Sequence, residues 1–255
     1  MNFKTFMAML ARDAHVARRN IVMLAFQTLL QPMMFTFVFG RVMTASGLMS
    51  MQYKALLLPG IIALSMIMTG TWAVTMPLIS EFQFTKEIED RLLAPMNIEW
   101  LAIEKVVAGM IQALVAGLIV IPTAWLVMGG VSFDGAHIAL FALIAILVAA
   151  LSATLGLVLG CSVGQQHVGL MFSMVMAPMI FFGCTYYPWA ALAKFPILKR
   201  VVLINPLVYA SEGFRSALVP KSPHLAITVI LIALFAFDAA FLTFGLRQFR
   251  RKAIT

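Results

Sequence analysis

The chain has 255 residues, 62% of them hydrophobic and only 11% charged, with a mean hydropathy of +0.99. A soluble domain carries about a quarter charged and roughly half apolar residues. This composition therefore excludes a cytosolic enzyme, a nucleic-acid-binding module and a disordered chain, and it places the protein in a membrane. The net charge of +8 then reads as topology, with basic residues held in cytoplasmic loops and tails. The two cysteines, Cys161 and Cys184, form neither a disulfide framework nor a zinc pattern.

Residues 1–20 predict an amphipathic helix. Phe3, Phe6, Met7, Leu10, Ala14 and Ala17 share one stripe, and Lys4, Arg12, His15 and Arg19 lie opposite, as for a helix lying along the cytoplasmic membrane surface. A signal peptide does not fit, because the charges persist to Arg19 and no small-residue cleavage site follows. Crossing the hydrocarbon core takes ~20 apolar residues. Runs of that kind occupy 21–42, 55–80, 101–128, 136–163, 168–184 and 225–246, which predicts an all-α integral membrane protein with six transmembrane helices. Pro32, Pro59, Pro77, Pro122 and Pro178 serve as kinks or ends.

Six spans put both termini on one side. The terminal and even-numbered loops hold eleven of the Lys and Arg residues, densest from Arg247 to Lys252. The other side holds seven: Arg41, Lys54, Lys194, Lys199, Arg200, Arg215 and Lys221. The bias assigns both termini to the cytoplasm.

Two segments between spans stand apart. Residues 81–100, followed by Glu104 and Lys105, carry dense mixed charge. Thr85 caps a short helix that Pro95 stops, and Asn97 caps the entry into the third span. Charge alone reads as a solvated cytoplasmic turn, but Ile88, Leu92 and Leu93 give that helix an apolar edge suited to a partner protein. Residues 185–222 are too long for an unstructured loop, and Pro188, Pro196, Pro206 and Pro220 leave no piece long enough to span. A re-entrant pair of short amphipathic helices in the outer leaflet fits, with Tyr186, Tyr187 and Trp189 at the headgroup boundary. A membrane-hugging loop with an aromatic belt is the alternative.

Within the spans, Ser152, Gly156, Gly160 and Gly164 recur every four residues, as do Gly109, Ala113 and Gly117, a spacing for close helix packing. Asp238 lies near the middle of the sixth span, either as a functional acid or as a protonated or hydrogen-bonded structural one. Gln27 and Gln31 face either a polar cavity or a neighbouring helix. The methionines crowding the fifth span, Met171, Met174, Met176 and Met179, suit core filling or a greasy substrate. Neither a phosphate-binding loop nor the hydrolase and metalloprotease motifs occur.

Two stretches carry a family resemblance. EIEDRLLAPMN, from Glu87 to Asn97, is similar to the coupling segment of ABC-2 type transporter permeases. FGCTYYPWAALAKFPILKRVVLINPLVYASEGFR, from Phe182 to Arg215, resembles that family's aromatic-Pro, Leu-Pro and Asn-Pro-Leu signature, with Phe195-Pro196 in place of Leu-Pro. The resemblance covers the whole chain, 1–255, as a single transmembrane domain. It implies an exporter subunit in a bacterial or archaeal inner membrane, embedded among membrane lipids. A second permease copy, as a homodimer, and cytoplasmic ABC ATPase subunits would be its partners.

On that resemblance, Glu87, Glu89, Arg91, Leu92 and Pro95 would couple to the ATPase, together with the N-terminal surface helix. Gly183, Tyr186, Tyr187, Pro188, Asn205, Pro206 and Tyr209 would form the outer gate. The chain itself would hold no catalytic, cofactor or metal residue, since ATP and Mg would be bound by the partner. The substrate would be hydrophobic, lipid-linked, polysaccharide or drug-like, moved out of the cytoplasm by alternating access. Two other readings are a proton-coupled secondary transporter using Asp238 and a membrane scaffold. A secondary transporter needs no docking helix and buries more than one ionisable group.

Overall fold

The computed structural model describes residues 6–13, 30, 32–48, 50–83, 98–128 and 136–254. All regular structure among them is helical. Residues 6–13 form α1 and residues 32–45 form α2. There follow α3 (Met51–Gln83), α4 (Ile98–Met128), α5 (Ile138–Ser162), α6 (Val168–Phe181), α7 (Pro196–Val201), α8 (Pro206–Leu218) and α9 (Ile227–Ile254). Four of these, α3, α4, α5 and α9, are long and apolar enough to cross a membrane.

Their bounds follow from backbone chemistry. Pro196 and Pro206 each stand in the first turn of a helix, where a missing N–H costs nothing. In α2 the stretch Thr36–Val42 is π-helical. There the Thr36 hydroxyl donates to the Pro32 carbonyl at 2.6 Å, the acceptor that a regular helix would give to the Thr36 N–H.

The fifth apolar run departs from expectation. Its length predicts a span over 168–184, but α6 has 14 residues and, at 1.5 Å per residue, extends ~21 Å, short of a ~30 Å core. Phe182 to Cys184 then turn, with Cys184 at φ 51°, a left-handed conformation uncommon outside glycine. The predicted first span, 21–42, is described only from residue 30 onward.

The long helices pack around α3, which is the most enclosed of the four and lies against α4, α5 and α8. The small residues foreseen on the third and fourth spans make this possible. A Cβ on Gly156 would come within 2.7 Å of the Thr71 carbonyl oxygen. With no side chain in the way, the Thr71 hydroxyl donates to the Ser152 carbonyl at 3.1 Å and the Thr75 hydroxyl to the Gly156 carbonyl at 3.0 Å. Such hydrogen bonds between helices are worth ~0.6 kcal/mol each in a membrane. By contrast α9 is the most exposed, with Ile232 and Phe235 turned outward as lipid-facing residues should be.

Both ends of the described chain meet at one end of the bundle. The ring of Phe82, at the close of α3, lies 5.4 Å from that of Phe249 on α9, and Lys252 sits over it. Met9 of α1 packs in the same apolar cluster. At the opposite end Lys54 donates to the Met128 carbonyl at 3.0 Å and the His137 N–H to the Ala217 carbonyl at 2.8 Å.

Candidate functional site

At the end away from the termini, the segment between α6 and α9 is organised by a buried ion pair. Arg215 and Glu212 stand one turn apart on α8, both side chains fully buried, with Nη1 of Arg215 on Oε1 of Glu212. Removing two charges from solvent is costly and is offset only when the remaining polar atoms find partners. Here they do. Arg215 Nη2 also donates to the Cys184 carbonyl at 3.1 Å, and Nε and Nη2 reach the Leu56 carbonyl. Glu212 accepts from the Trp189 N–H at 2.9 Å and the Leu225 N–H at 3.3 Å. One pair thus ties α8 to the top of α3, the turn after α6, the start of the 3-10 turn Trp189–Lys194 and the lead into α9.

The expected gate residues lie around this pair, and each has a local physical role. A Cβ on Gly183 would meet Leu207 Cδ2 at 2.4 Å. Asn205 caps α8 by accepting from the Leu207 N–H at 3.0 Å, while its amide donates to the Met179 carbonyl at 2.7 Å. Pro206 occupies the first turn, and Pro188 supplies the extended residue before the 3-10 turn. The Tyr186 ring stacks with Phe39 at 5.4 Å and lies 5.0 Å from Phe35, and its carbonyl accepts from the Tyr53 hydroxyl at 2.8 Å. Tyr187 and Tyr209 donate to the carbonyls of Phe181 and Leu203. Burial raises the phenol pKa of both, so they stay protonated donors.

One expectation for this region changes. The helix after Asn205 was read as amphipathic and dipping into a leaflet, yet residues 206–217 are all buried by α3, α5 and α9. By sequence position Arg215 also counts among the loop charges that set topology. It is an interior residue and carries no topological information, and the same holds for Lys105, counted on the other side.

A second network stands at the end where the termini meet. Lys105 Nζ, on α4, lies 2.6 Å from Asp13 of α1, 2.8 Å from Glu81 of α3 and 4.0 Å from Glu104. Its side chain is 4% exposed, so these contacts work in a poorly screened setting. Phe6 adds an edge-on ring contact to Trp100 at 6.2 Å. The network fastens α1 to the two helices that residues 84–97 join.

Glu87, Glu89, Arg91, Leu92 and Pro95, the expected coupling residues, lie outside the described residues, as do Gln27 and Gln31. Asp238 is half-buried on α9, and neither carboxylate oxygen has a hydrogen-bond partner among the described residues. The hydrogen-bonded structural role considered for it is therefore not seen.

Sequence reasoning missed Asp13 and Glu212. For Glu212 a signal existed: opposite charges three residues apart, in a stretch otherwise empty of acids from 182 to 211. Asp13 is hidden because residues 1–20 read as an apolar stripe opposed by a basic face, and the cation that pairs with this one acid lies 92 residues away. Among the described residues no group of three or more His, Cys, Asp or Glu is placed to hold a metal ion.

Comparison of the sequence with known proteins identifies a family. A family model described as "ABC-2 type transporter" matches residues 4–219. The inner membrane transport permease YadH of Escherichia coli strain K12 is 24% identical over 221 residues, covering 82% of this chain and 84% of the relative. The protein of the same name from Shigella flexneri aligns with the same identity and coverage. A match over so much of an apolar, all-helical chain means that the protein belongs to the ABC-2 type transporter family.

Proposed function

We propose that the chain is the permease subunit of an ATP-driven exporter, with both termini in the cytoplasm and six crossings, the fifth made by the short α6 together with the turn that follows it. A separate ATPase would dock on the segment 84–97 through Glu87, Glu89, Arg91, Leu92 and Pro95. A second permease copy would complete the pathway, and the 182–226 region would form its outer gate. The substrate class is hydrophobic, lipid-linked, polysaccharide or drug-like. The observation that carries this reading is the Lys105 network. It fastens the N-terminal helix to the inner ends of α3 and α4, the two helices between which a docking segment would transmit force. A proton-coupled carrier would instead be expected to link Asp238 to a second ionisable group, and Asp238 has no hydrogen bond among the described residues.

The test is co-purification of the permease with an ABC ATPase, followed by ATP-dependent export from inverted vesicles. Reversing charge at Glu87 and Arg91 together should lose both the complex and export. Retention of both in that variant would overturn the docking assignment.

A further inference from the structure

Residues 189–204 lie within the region proposed as the gate, and their outward surface is what that reading leaves without a role. The 3-10 turn Trp189–Lys194 folds against α7, with Trp189 Nε1 donating to the Lys199 carbonyl at 3.1 Å and Lys199 Nζ lying 4.0 Å over the Trp189 ring. α7 runs on through the 3-10 turn Val202–Ile204. Val202, at 1% exposure, anchors its inner side. The outer side is the reverse of what water would select: Ile197 is 80% exposed, Val201 53% and Ile204 75%, with Phe195 beside them at 62%. Ile197, Arg200, Val201 and Ile204 fall at i, i+3, i+4 and i+7, one continuous helical stripe.

Cations frame that stripe. Lys194 and Arg200 are exposed and Lys199 is half-buried, and the sequence holds no acid between residues 182 and 211. The element is fixed at the end of the bundle by the Trp189 N–H on Glu212, where membrane-crossing helices leave the hydrocarbon. Exposed apolar side chains interleaved with Lys and Arg, and a Trp at the boundary, describe a surface matched to lipid on one side and to phosphate on the other.

We infer that residues 194–204 form an interfacial binding element that seats its Ile197–Val201–Ile204 stripe in the acyl boundary and uses Lys194, Lys199 and Arg200 to recruit anionic phospholipid phosphates. The occupant is lipid rather than protein, because three cations without a local acid repel an identical copy of themselves. The inference rests on the chain being a membrane protein and is independent of the direction of transport.

Trp189 reports on the element directly. The full-length chain with Trp72, Trp100 and Trp125 replaced by Phe is reconstituted in phosphatidylcholine vesicles containing brominated phosphatidylglycerol or brominated phosphatidylcholine. Trp189 should be quenched with an apparent affinity about fivefold higher for the anionic lipid, the scale set by one interfacial cation. K194Q/K199Q/R200Q should abolish the preference, and R250Q/R251Q, at the other end, should leave it. Equal quenching by the two lipids, or a preference that survives the triple neutralisation, would overturn the inference. If the single-Trp protein does not fold, Ile197→Cys carrying an environment-sensitive fluorophore gives the same readout in the native Trp background, since Cys161 and Cys184 are buried. Oxidative cross-linking of Ile197→Cys into a dimer, with no lipid preference, would assign the face to a second copy and overturn the lipid assignment.

Discussion

The guanidinium of Arg215 donates from both Nε and Nη2 to the backbone carbonyl of Leu56, each at 3.2 Å, across 159 residues of sequence. Pro59 stands three residues further along α3 and offers no N–H to the Ala55 carbonyl, so the helix already lacks a backbone hydrogen bond where the arginine reaches it. The bond joins the most enclosed long helix to the segment before α9.

Removing one partner of the buried pair should be far worse than removing both. R215A leaves Glu212 charged and enclosed, and a loss of about 3–5 kcal/mol is expected. E212L/R215M, which keeps volume and removes both charges, should recover much of it. Thermal unfolding of the purified variants in detergent checks this; equal destabilisation by the single and double variants would show that the backbone contacts, not the charge pair, dominate.

At the other end, K105M leaves Asp13 and Glu81 facing each other without their shared cation. α1 should detach from the bundle, and amide hydrogen exchange in residues 6–13 should rise to that of an unpacked segment. D13N is expected to raise exchange in the same residues while leaving α3 and α4 protected, because Lys105 keeps its 2.8 Å contact to Glu81.

Gly60→Ala probes the seam between α3 and the turn after α6. A Cβ there would lie 1.9 Å from the Thr185 carbonyl oxygen, whereas one on Gly169 meets nothing within 4 Å. G60A should cost at least the roughly 1–3 kcal/mol of an overpacked core, and G169A should be neutral or slightly stabilising, as for a helical glycine with open space around it. Comparison of their melting temperatures decides it.

Asp238→Asn removes a charge that has no hydrogen bond among the described residues. Folding and export should both survive the change, with stability equal or higher, because an ionisable group within a span is expensive to keep. A folded D238N protein without transport would favour the proton-coupled reading.

The long helices were legible because hydropathy over ~20 residues is a strong signal: α3 and α4 contain their expected runs, α5 closely matches its own, and α9 overlaps one but runs eight residues beyond its expected end. Their packing was legible too, since glycine and serine every fourth residue state how close a neighbour may come. The length of α6 was not. Its apolar run continues into Phe182 and Cys184, but the chain turns there to bring the Cys184 carbonyl to Arg215, and no composition window registers that demand. The charged residues were the least legible. A buried Arg215 and an exposed Arg200 count equally in a loop, and only the partners Glu212, Leu56 and Cys184 distinguish them. The prolines that open α7 and α8 are legible as breaks, though not that the helix opened by Pro206 is enclosed on every side.

α3 holds Leu56 near one end and Glu81 near the other, an axial distance of ~38 Å at helical rise. Threonine hydroxyls clasp its middle to the α5 backbone. Pro59 and Pro77 each omit one backbone hydrogen bond between that clasped middle and an end. One helix therefore carries a contact to each of the two buried ion networks, which are remote from each other in sequence and in space.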